Sequence, residues 1–309
     1  IVVSASALET YARCPFRYFL SAVLGLGPRQ DPEKILVLRP QDRGLLLHDI
    51  LHDFFSQLRT AGQLPVADHA DRALSQRLIQ TAQRHFEHFA ETHPTGFALL
   101  WELEKERMHE RLALLLKREG QRGAAFVPEA FEAHFGLGMS AGLAEEISDQ
   151  VLASPFFPEI PVQFELDDGE VIGLRGRIDR IDLSTPAESA ESGEIGGQQK
   201  ARIKARIIDY KTGKPPRGQF AKGLALQLPL YLFAAQTLRP ELIWESARYV
   251  GVDGSDQNTP AEFTAETWPE ALRTLRHILT ILVTGVRSGC FFPQPDTCYP
   301  CPFPEICGS

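Results

Sequence analysis

Nowhere does the 309-residue sequence run through the roughly 18 consecutive apolar residues that a membrane-spanning helix needs. Its first segment also lacks the charged stretch and apolar core of a secretion signal. Positive charge is short as well: 32 Lys and Arg against 40 Asp and Glu give a net charge of −8. That balance argues against a protein that is basic all over. It leaves room for a local basic groove, because nucleic-acid affinity follows the charge near the phosphates rather than the total. Cysteine is sparse, with five residues, and a chain of this length buries a sizeable core without crosslinks, so the fold does not require them. No Gly-x4-Gly-Lys-Ser/Thr phosphate loop occurs, so this chain is not expected to hydrolyse ATP itself. Internal repeats are absent. Hydrophobic residues at 43% and charged ones at 23% describe a soluble globular protein and exclude a collagen-like, disulfide-dense or disordered chain. The expectation is a cytoplasmic protein with no membrane partner, and a start at Ile1 rather than Met reads as a piece of something longer.

The pattern of residues predicts α+β architecture, with helices before and after a small sheet. Ser6 and Glu9 have capping-box spacing at the start of a helix that breaks near Cys14-Pro15. A second helix, 41–59, carries Leu45, Leu47, Ile50, Leu51, Phe54, Phe55 and Leu58 at helical spacing. Residues 60–125 stay helical and highly charged and read as a helical insertion with solvated faces. From 126 to 288 strands and helices alternate. Phe131–Phe135 reads as a strand; Val162–Leu166 and Val171–Leu183 read as strands joined by the Asp-Gly turn at 167–169. Ala205–Tyr210 and Ser246–Val252 are further strands, Gly223–Gln236 a helix, and Thr267 the cap of a long last helix with Pro269 in its first turn. Residues 184–202, rich in Ser, Glu, Gly and Gln, read as a mobile loop.

The most informative stretches are Gly176-Arg-Ile-Asp179-Arg-Ile-Asp182 and Ile207-Ile-Asp209-Tyr-Lys211-Thr-Gly213. In a strand, residues two apart share a face, so Asp209 and Lys211 project together and Tyr210 points the other way. If the two strands are neighbours, Asp179 approaches Asp209, and converging carboxylates suit a hard divalent cation such as Mg²⁺. Such an ion polarises a phosphoryl oxygen and acidifies a bound water, while a lysine stabilises developing charge, which points to phosphodiester hydrolysis. An Asp-x-Lys pair alone is most often a surface ion pair. It gains weight from His48 on the second helix, in Gly44-x3-His48, and from Gln227 and Tyr231 at i, i+4 on one helix face.

Cys298, Cys301 and Cys307 form a C-x2-C-x5-C tail, and Cys14 is the candidate fourth ligand, tying the chain's start to its end. Four thiolates suit a structural Zn²⁺ or an iron–sulfur cluster, and spacing does not choose between them. A disulfide framework is the alternative, disfavoured in a reducing compartment. Cys290 falls outside the spacing and reads as a bystander.

In the order Gly44-x3-His48, Gly176-Arg-Ile-Asp179, Asp209-Tyr-Lys211-Thr-Gly and Gln227-x3-Tyr231, the chain resembles the RecB-like branch of the PD-(D/E)xK nuclease superfamily. The resemblance implies a restriction-endonuclease-like core in a single domain over 1–309. His48, Asp179, Asp209 and the main-chain carbonyl of Tyr210 would ligate Mg²⁺ or Mn²⁺, Lys211 would be the catalytic lysine, and Gln227 and Tyr231 would complete the site. One cysteine before the core and three after it look like the iron–sulfur staple of the AddB family of helicase–nuclease subunits. Similar staples occur in CRISPR-associated adaptation nucleases and in the eukaryotic replication helicase-nuclease. Cys14-Pro-Phe-Arg-Tyr-Phe, Phe126-Val-Pro and Glu132-Ala-His-Phe-Gly136 favour the AddB branch. This implies a 4Fe-4S cluster on Cys14, Cys298, Cys301 and Cys307, in a staple of 1–25 and 289–309. It also implies an exonuclease working on DNA, single-stranded for preference, in double-strand-break repair with a helicase partner or helicase-like domain.

Basic candidates for a strand path are Arg17, Arg177, Arg180 and Lys214, with Arg13, Arg43, Arg217 and Lys222 beside other motif residues. Two readings stand beside the exonuclease within the same fold, a free-standing CRISPR-associated-type nuclease and a catalytically silent DNA-binding scaffold. A zinc hydrolase using His48-Asp-Ile-Leu-His52 lacks the Glu that the metalloprotease pattern places after its first His.

Overall fold

A computed structural model of the chain describes residues 1–27, 35–66, 72–136, 156–185, 203–254, 262–294 and 301–307. Cys298 and positions 186–202 of the expected loop lie outside these residues. The chain opens on strand β1 (Val2–Ser4), and Ser4 caps helix α1 (Ala5–Arg13) by accepting the Ala7 N–H at 3.3 Å. The capping box expected from Ser6 and Glu9 therefore does not form, because Glu9 bonds a different helix instead. Cys14, in extended conformation, ends α1, and Pro15 opens α2 (Pro15–Tyr18), which runs into a π-helical turn at Phe19–Val23.

Helices α3 (Pro40–Thr60), α4 (Arg72–Thr92) and α5 (Ala98–Gln121) form one layer. On α3 the buried stripe includes Leu46 and Leu47, while Leu45, expected inside, is 42% exposed. The segment expected as a helical insertion with solvated faces also supplies part of the core. Under their charged faces, α4 keeps Leu78, Ala82 and Phe86, and α5 keeps Trp101, Met108, Leu112 and Leu116, at helical spacing. These residues pack with α3 onto Phe131, Ile208, Tyr210 and Val250 of the sheet and onto Val252 just after its last long strand.

The sheet is mixed, and β4 (Val171–Ser184) is its spine. The first half of β4 lies between β1, parallel to it, and β3 (Val162–Glu165), antiparallel. Its second half lies between β2 (Phe126–Phe135) and β5 (Lys204–Lys211), both antiparallel. Beyond β5 come β6 (Ile243–Gly251), parallel, and β7 (Phe263–Thr264), antiparallel. The expected Asp-Gly turn joins β3 to β4, with Gly169 at φ +81, a left-handed conformation that glycine adopts without strain. On the face opposite α3–α5, helices α1, α6 (Gln227–Leu238) and α7 (Trp268–Arg287) pack through Leu8, Leu228, Leu232, Leu275 and Leu279 against Ile181, Ile207 and Ala247. A short α8 (Pro304–Cys307) follows near the end of the chain. Among the described residues, no helix is long and apolar enough to cross a membrane.

Alternation along β5 sorts its side chains between these two layers. Ile207 belongs to the core under α6, and Ile208 and Tyr210 to the core under α3. On the α3 side sits Arg180, 2% exposed at its side chain, and all of its partners are buried too. Its Nε and Nη2 donate to the Asp182 carboxylate at 2.5 and 3.0 Å, and Nη1 donates to Tyr210 Oη at 2.9 Å. Glu119 of α5 pairs with Nη2 at 2.9 Å, and the guanidinium lies 5.1 Å from the Phe55 ring centroid. Burial alone would push the Glu119 carboxyl up, but Arg180 and Arg122 outweigh it and hold the acid ionised below its usual range. Arg180 is thus a structural clasp between sheet and helices. Its expected place on a DNA path is corrected, since no strand reaches a side chain so enclosed. Arg180→Leu leaves the buried Asp182 carboxylate without its counter-charge and Glu119 with Arg122 but not Arg180, a loss of about 3–5 kcal/mol. Urea unfolding measures it, and a loss below about 1 kcal/mol contradicts the clasp.

Candidate active site

The centre of the site is a seam where two strands part. Pairing between β4 and β5 runs from Leu183↔Ala205 to Arg180↔Ile208 and goes no further. One residue on, Asp179 Oδ2 accepts the Tyr210 N–H at 2.8 Å, so a side chain takes the place of the missing main-chain partner. In a strand the N–H and C=O of one residue face the same edge, which turns the Tyr210 carbonyl toward this opening as well.

His48 enters from α3. Its Nδ1 lies 3.4 Å from Asp179 Oδ1 and 3.4 Å from Glu132 Oε1. Glu132 comes from β2, between the pairs Phe131↔Arg180 and Ala133↔Ile178, at the level of Asp179. It is the non-glycine residue with positive φ, +48, among those described, a conformation that holds only where surrounding contacts enforce it. Its other oxygen pairs with Arg177 Nε at 2.7 Å. The donor atoms of His48, Glu132 and Asp179 all lie within 4.8 Å of one another, the spacing of groups that can share a cation. Burial works against the charged form of His48, but Asp179 and Glu132 outweigh it and raise the imidazolium to about 10. The two acids therefore favour the protonated ring between them.

Asp209 and Lys211 share the other face of β5, pointing toward α6. Asp209 is 1% exposed and forms an ion pair with the Lys211 ammonium. Burial raises its pKa, Asp179 adds to the rise, and Lys211 and His48 oppose it. Lys211 Nζ donates to Gln227 Oε1 at 2.7 Å. Burial disfavours its charge, but Asp209, Asp179 and Glu9 prevail and raise its pKa, so it stays an ammonium. Tyr231, one turn further along α6, packs against Phe135 with ring centroids 6.3 Å apart. Gly176 makes room for both rings: a Cβ there would stand 2.8 Å from Phe135 and 2.9 Å from Tyr231.

The structure thus brings together His48, Asp179, Asp209, Tyr210, Lys211, Gln227 and Tyr231 across the two layers. It adds Glu132 and Glu9, neither of which the motifs mark as a site residue. The signal for Glu132 is a lone acid inside the apolar strand Phe131-Glu-Ala-His-Phe135. Arg177 is 45% exposed beside the site, Lys214 is exposed and Arg17 is half-buried. Cys14 is buried, Cys301 and Cys307 are half-buried, and Cys290 is exposed.

Residues 2–308 match the model of the PD-(D/E)XK nuclease superfamily, and the chain belongs to that superfamily. Among curated proteins it is similar to an ATP-dependent helicase/deoxyribonuclease subunit from Moorella thermoacetica, with 30% identity over 254 residues, covering 81% of this chain and 19% of that protein. The corresponding protein of Acetivibrio thermocellus, of the same name, is 29% identical over 271 residues, covering 84% and 18% of the two chains. That of Thermoanaerobacter pseudethanolicus is 27% identical over 235 residues, 75% and 17%. The chain therefore spans about a fifth of the length of these relatives.

The donor set fits a hard divalent cation: carboxylates and one imidazole, buried, facing a carbonyl, with an ammonium nearby. A cation that takes the His48 nitrogen has to displace its proton, because only the neutral ring donates to a metal. Below about pH 10 affinity should therefore rise with pH, by about tenfold per unit for one proton released. Titration calorimetry with Mn²⁺ between pH 6 and 8, in buffers of different ionisation enthalpy, measures both the slope and the proton. Affinity independent of pH contradicts this arrangement.

Proposed function

We propose that the chain is the nuclease domain of a larger DNA-processing protein, a Mg²⁺- or Mn²⁺-dependent exonuclease that cleaves phosphodiester bonds at single-stranded ends. The observation that carries the reading is the seam itself, where His48, Glu132 and Asp179 converge next to the Asp209–Lys211–Gln227 chain. His48, Asp179, Asp209 and the Tyr210 carbonyl would hold the ion, and Glu132 stands in reach as a further donor. Once bound, such an ion supplies a polarised phosphoryl oxygen and an acidified water.

The chain's own groups do the rest. Asp209 and Gln227 fix the Lys211 ammonium, and because its pKa is raised it acts as a positive charge rather than as a base. Its place is against the charge that grows on the phosphoryl group in the transition state. Asp179 gives one oxygen to the Tyr210 N–H and keeps the other for the ion, so the carboxylate needs no reorganisation on binding. Tyr231, packed on Phe135 and over Gly176 one turn along from Gln227, would complete the site. Arg17, Arg177 and Lys214 line the path of the strand; Arg177, held by Glu132, would meet a phosphate directly beside the ion.

We further infer that Cys14, Cys298, Cys301 and Cys307 hold a 4Fe-4S cluster that joins the chain's two ends. In support, the Phe16 N–H donates to the Phe292 carbonyl at 3.2 Å, and Tyr11 Oη donates to the Cys290 carbonyl at 2.9 Å. The rings of Phe19 and Phe291 stack with centroids 5.0 Å apart. Phe303 N–H donates to Cys301 Sγ at 3.4 Å, a bond that favours the thiolate. The relatives' name, ATP-dependent helicase/deoxyribonuclease subunit, supports a helicase working beside the nuclease; double-strand-break repair and recombination is the setting we propose for this domain. The intact Asp209–Lys211 pair speaks against a silent scaffold.

Asp209→Ala and Lys211→Ala should each lower Mg²⁺- or Mn²⁺-dependent release of nucleotides from single-stranded DNA by about 10²–10³-fold or more. Full activity in both variants contradicts the mechanism. Anaerobically purified protein should contain iron and acid-labile sulfide; stoichiometric zinc without iron contradicts the cluster.

A further inference from the structure

Glu9 lies on α1, more than two hundred residues away in sequence from the helix it bonds. Its Oε1 accepts the Leu226 N–H at 2.5 Å and the Gln227 N–H at 3.2 Å. Leu226 is the cap position of α6 and has no side chain able to satisfy the helix's first amides, so a carboxylate from elsewhere does it. The positive end of the helix dipole favours that charge. What sets this contact apart from ordinary capping is the residue it fixes. Gln227, whose amide Glu9 holds, is the residue whose Oε1 accepts from Lys211 at 2.7 Å.

Helix α1 is itself anchored. Leu8 and Tyr11 are buried against α7, and Gly285 of α7 lets the Tyr11 hydroxyl pass where a Cβ would stand only 2.3 Å away. That hydroxyl ends on the Cys290 carbonyl. Glu9 therefore bonds α6 from a rigid base rather than from a loop.

We propose that Glu9 is a positioning residue for the catalytic lysine: by holding the Leu226 and Gln227 amides it fixes the first turn of α6, and with it the Gln227 oxygen that orients the Lys211 ammonium. This rests on the assignment of Lys211 to catalysis. Outer residues that orient the groups doing the chemistry are commonly worth about 10–100-fold in activity.

The test uses the full chain with Mn²⁺ and single-stranded DNA. Glu9→Ala should lower kcat about 10–100-fold, with KM and the Mn²⁺ affinity from calorimetry within about twofold of the parent. Glu9→Gln, whose side-chain carbonyl can accept the same two N–H groups, should recover kcat to within a few-fold. Combining Glu9→Ala with Gln227→Ala should cost little more than the worse single change, because both act through one contact. If Glu9→Ala does not fold, Glu9→Asp, which keeps the charge and is one methylene too short, carries the same expectation. Unchanged kcat per folded molecule, or losses that multiply in the double variant, overturns the proposal. Should Lys211→Ala remain active, the assignment of the lysine falls and this inference with it. An inactive Lys211→Ala beside a fully active Glu9→Ala defeats the Glu9 inference alone.

Discussion

The hydrogen bond from the Tyr210 N–H to the Asp179 carboxylate is the contact on which the rest of the site depends. Two antiparallel strands that kept pairing past Arg180↔Ile208 would close the sheet over the place where Asp179, Asp209 and the Tyr210 carbonyl now meet. An unmade main-chain bond at this depth costs about 1–3 kcal/mol, and the carboxylate offsets that cost by standing in for the absent strand. It does so with one oxygen and leaves the other 3.4 Å from His48. The same side chain thus opens the sheet and furnishes the opening.

Labour is divided across the sheet. On one face, Tyr210 accepts from Arg180, and Arg180 is clasped by Asp182 and Glu119, so the underside of the seam is rigid and tied to α5. On the other face, Asp209 and Lys211 meet α6 through Gln227, and Glu9 ties α6 to α1. His48 reaches the seam from α3, and Glu132 from the neighbouring strand through a strained backbone. Four elements therefore supply charged groups to one small volume. The acids favour the protonated His48 ring and the Lys211 ammonium, while burial raises Asp209 to about 7, the state expected of a site that exchanges a proton for a metal ion.

Periodicity made much of this legible. The alternation in Ile207-Ile-Asp209-Tyr-Lys211 placed Asp209 and Lys211 on one face and Tyr210 on the other, and the Asp-Gly turn marked the β3–β4 hairpin. Local pattern failed where charge hid an apolar stripe. Helices α4 and α5 look solvated because most of their positions are polar, yet Phe86, Trp101 and Met108 make them half of a core. It failed again where a partner is distant in sequence. Arg180 sits in a motif rich in acids and reads as a DNA contact, but its acids come from β4 itself and from α5, and they enclose it. Glu9 has the spacing of a capping box, and a helix more than two hundred residues away takes its carboxylate instead. Such pairings are decided by packing, and no window of sequence contains them.

That the parted strands form a metal centre is tested most directly by anomalous diffraction from crystals grown with Mn²⁺, which locates the ion itself. A metal centre here predicts a single strong peak in the seam, about 2.0–2.3 Å from a His48 nitrogen and from Asp179, with Asp209, the Tyr210 carbonyl or Glu132 completing the shell. A peak that avoids His48 and Asp179, or none in the seam at saturating Mn²⁺, contradicts it.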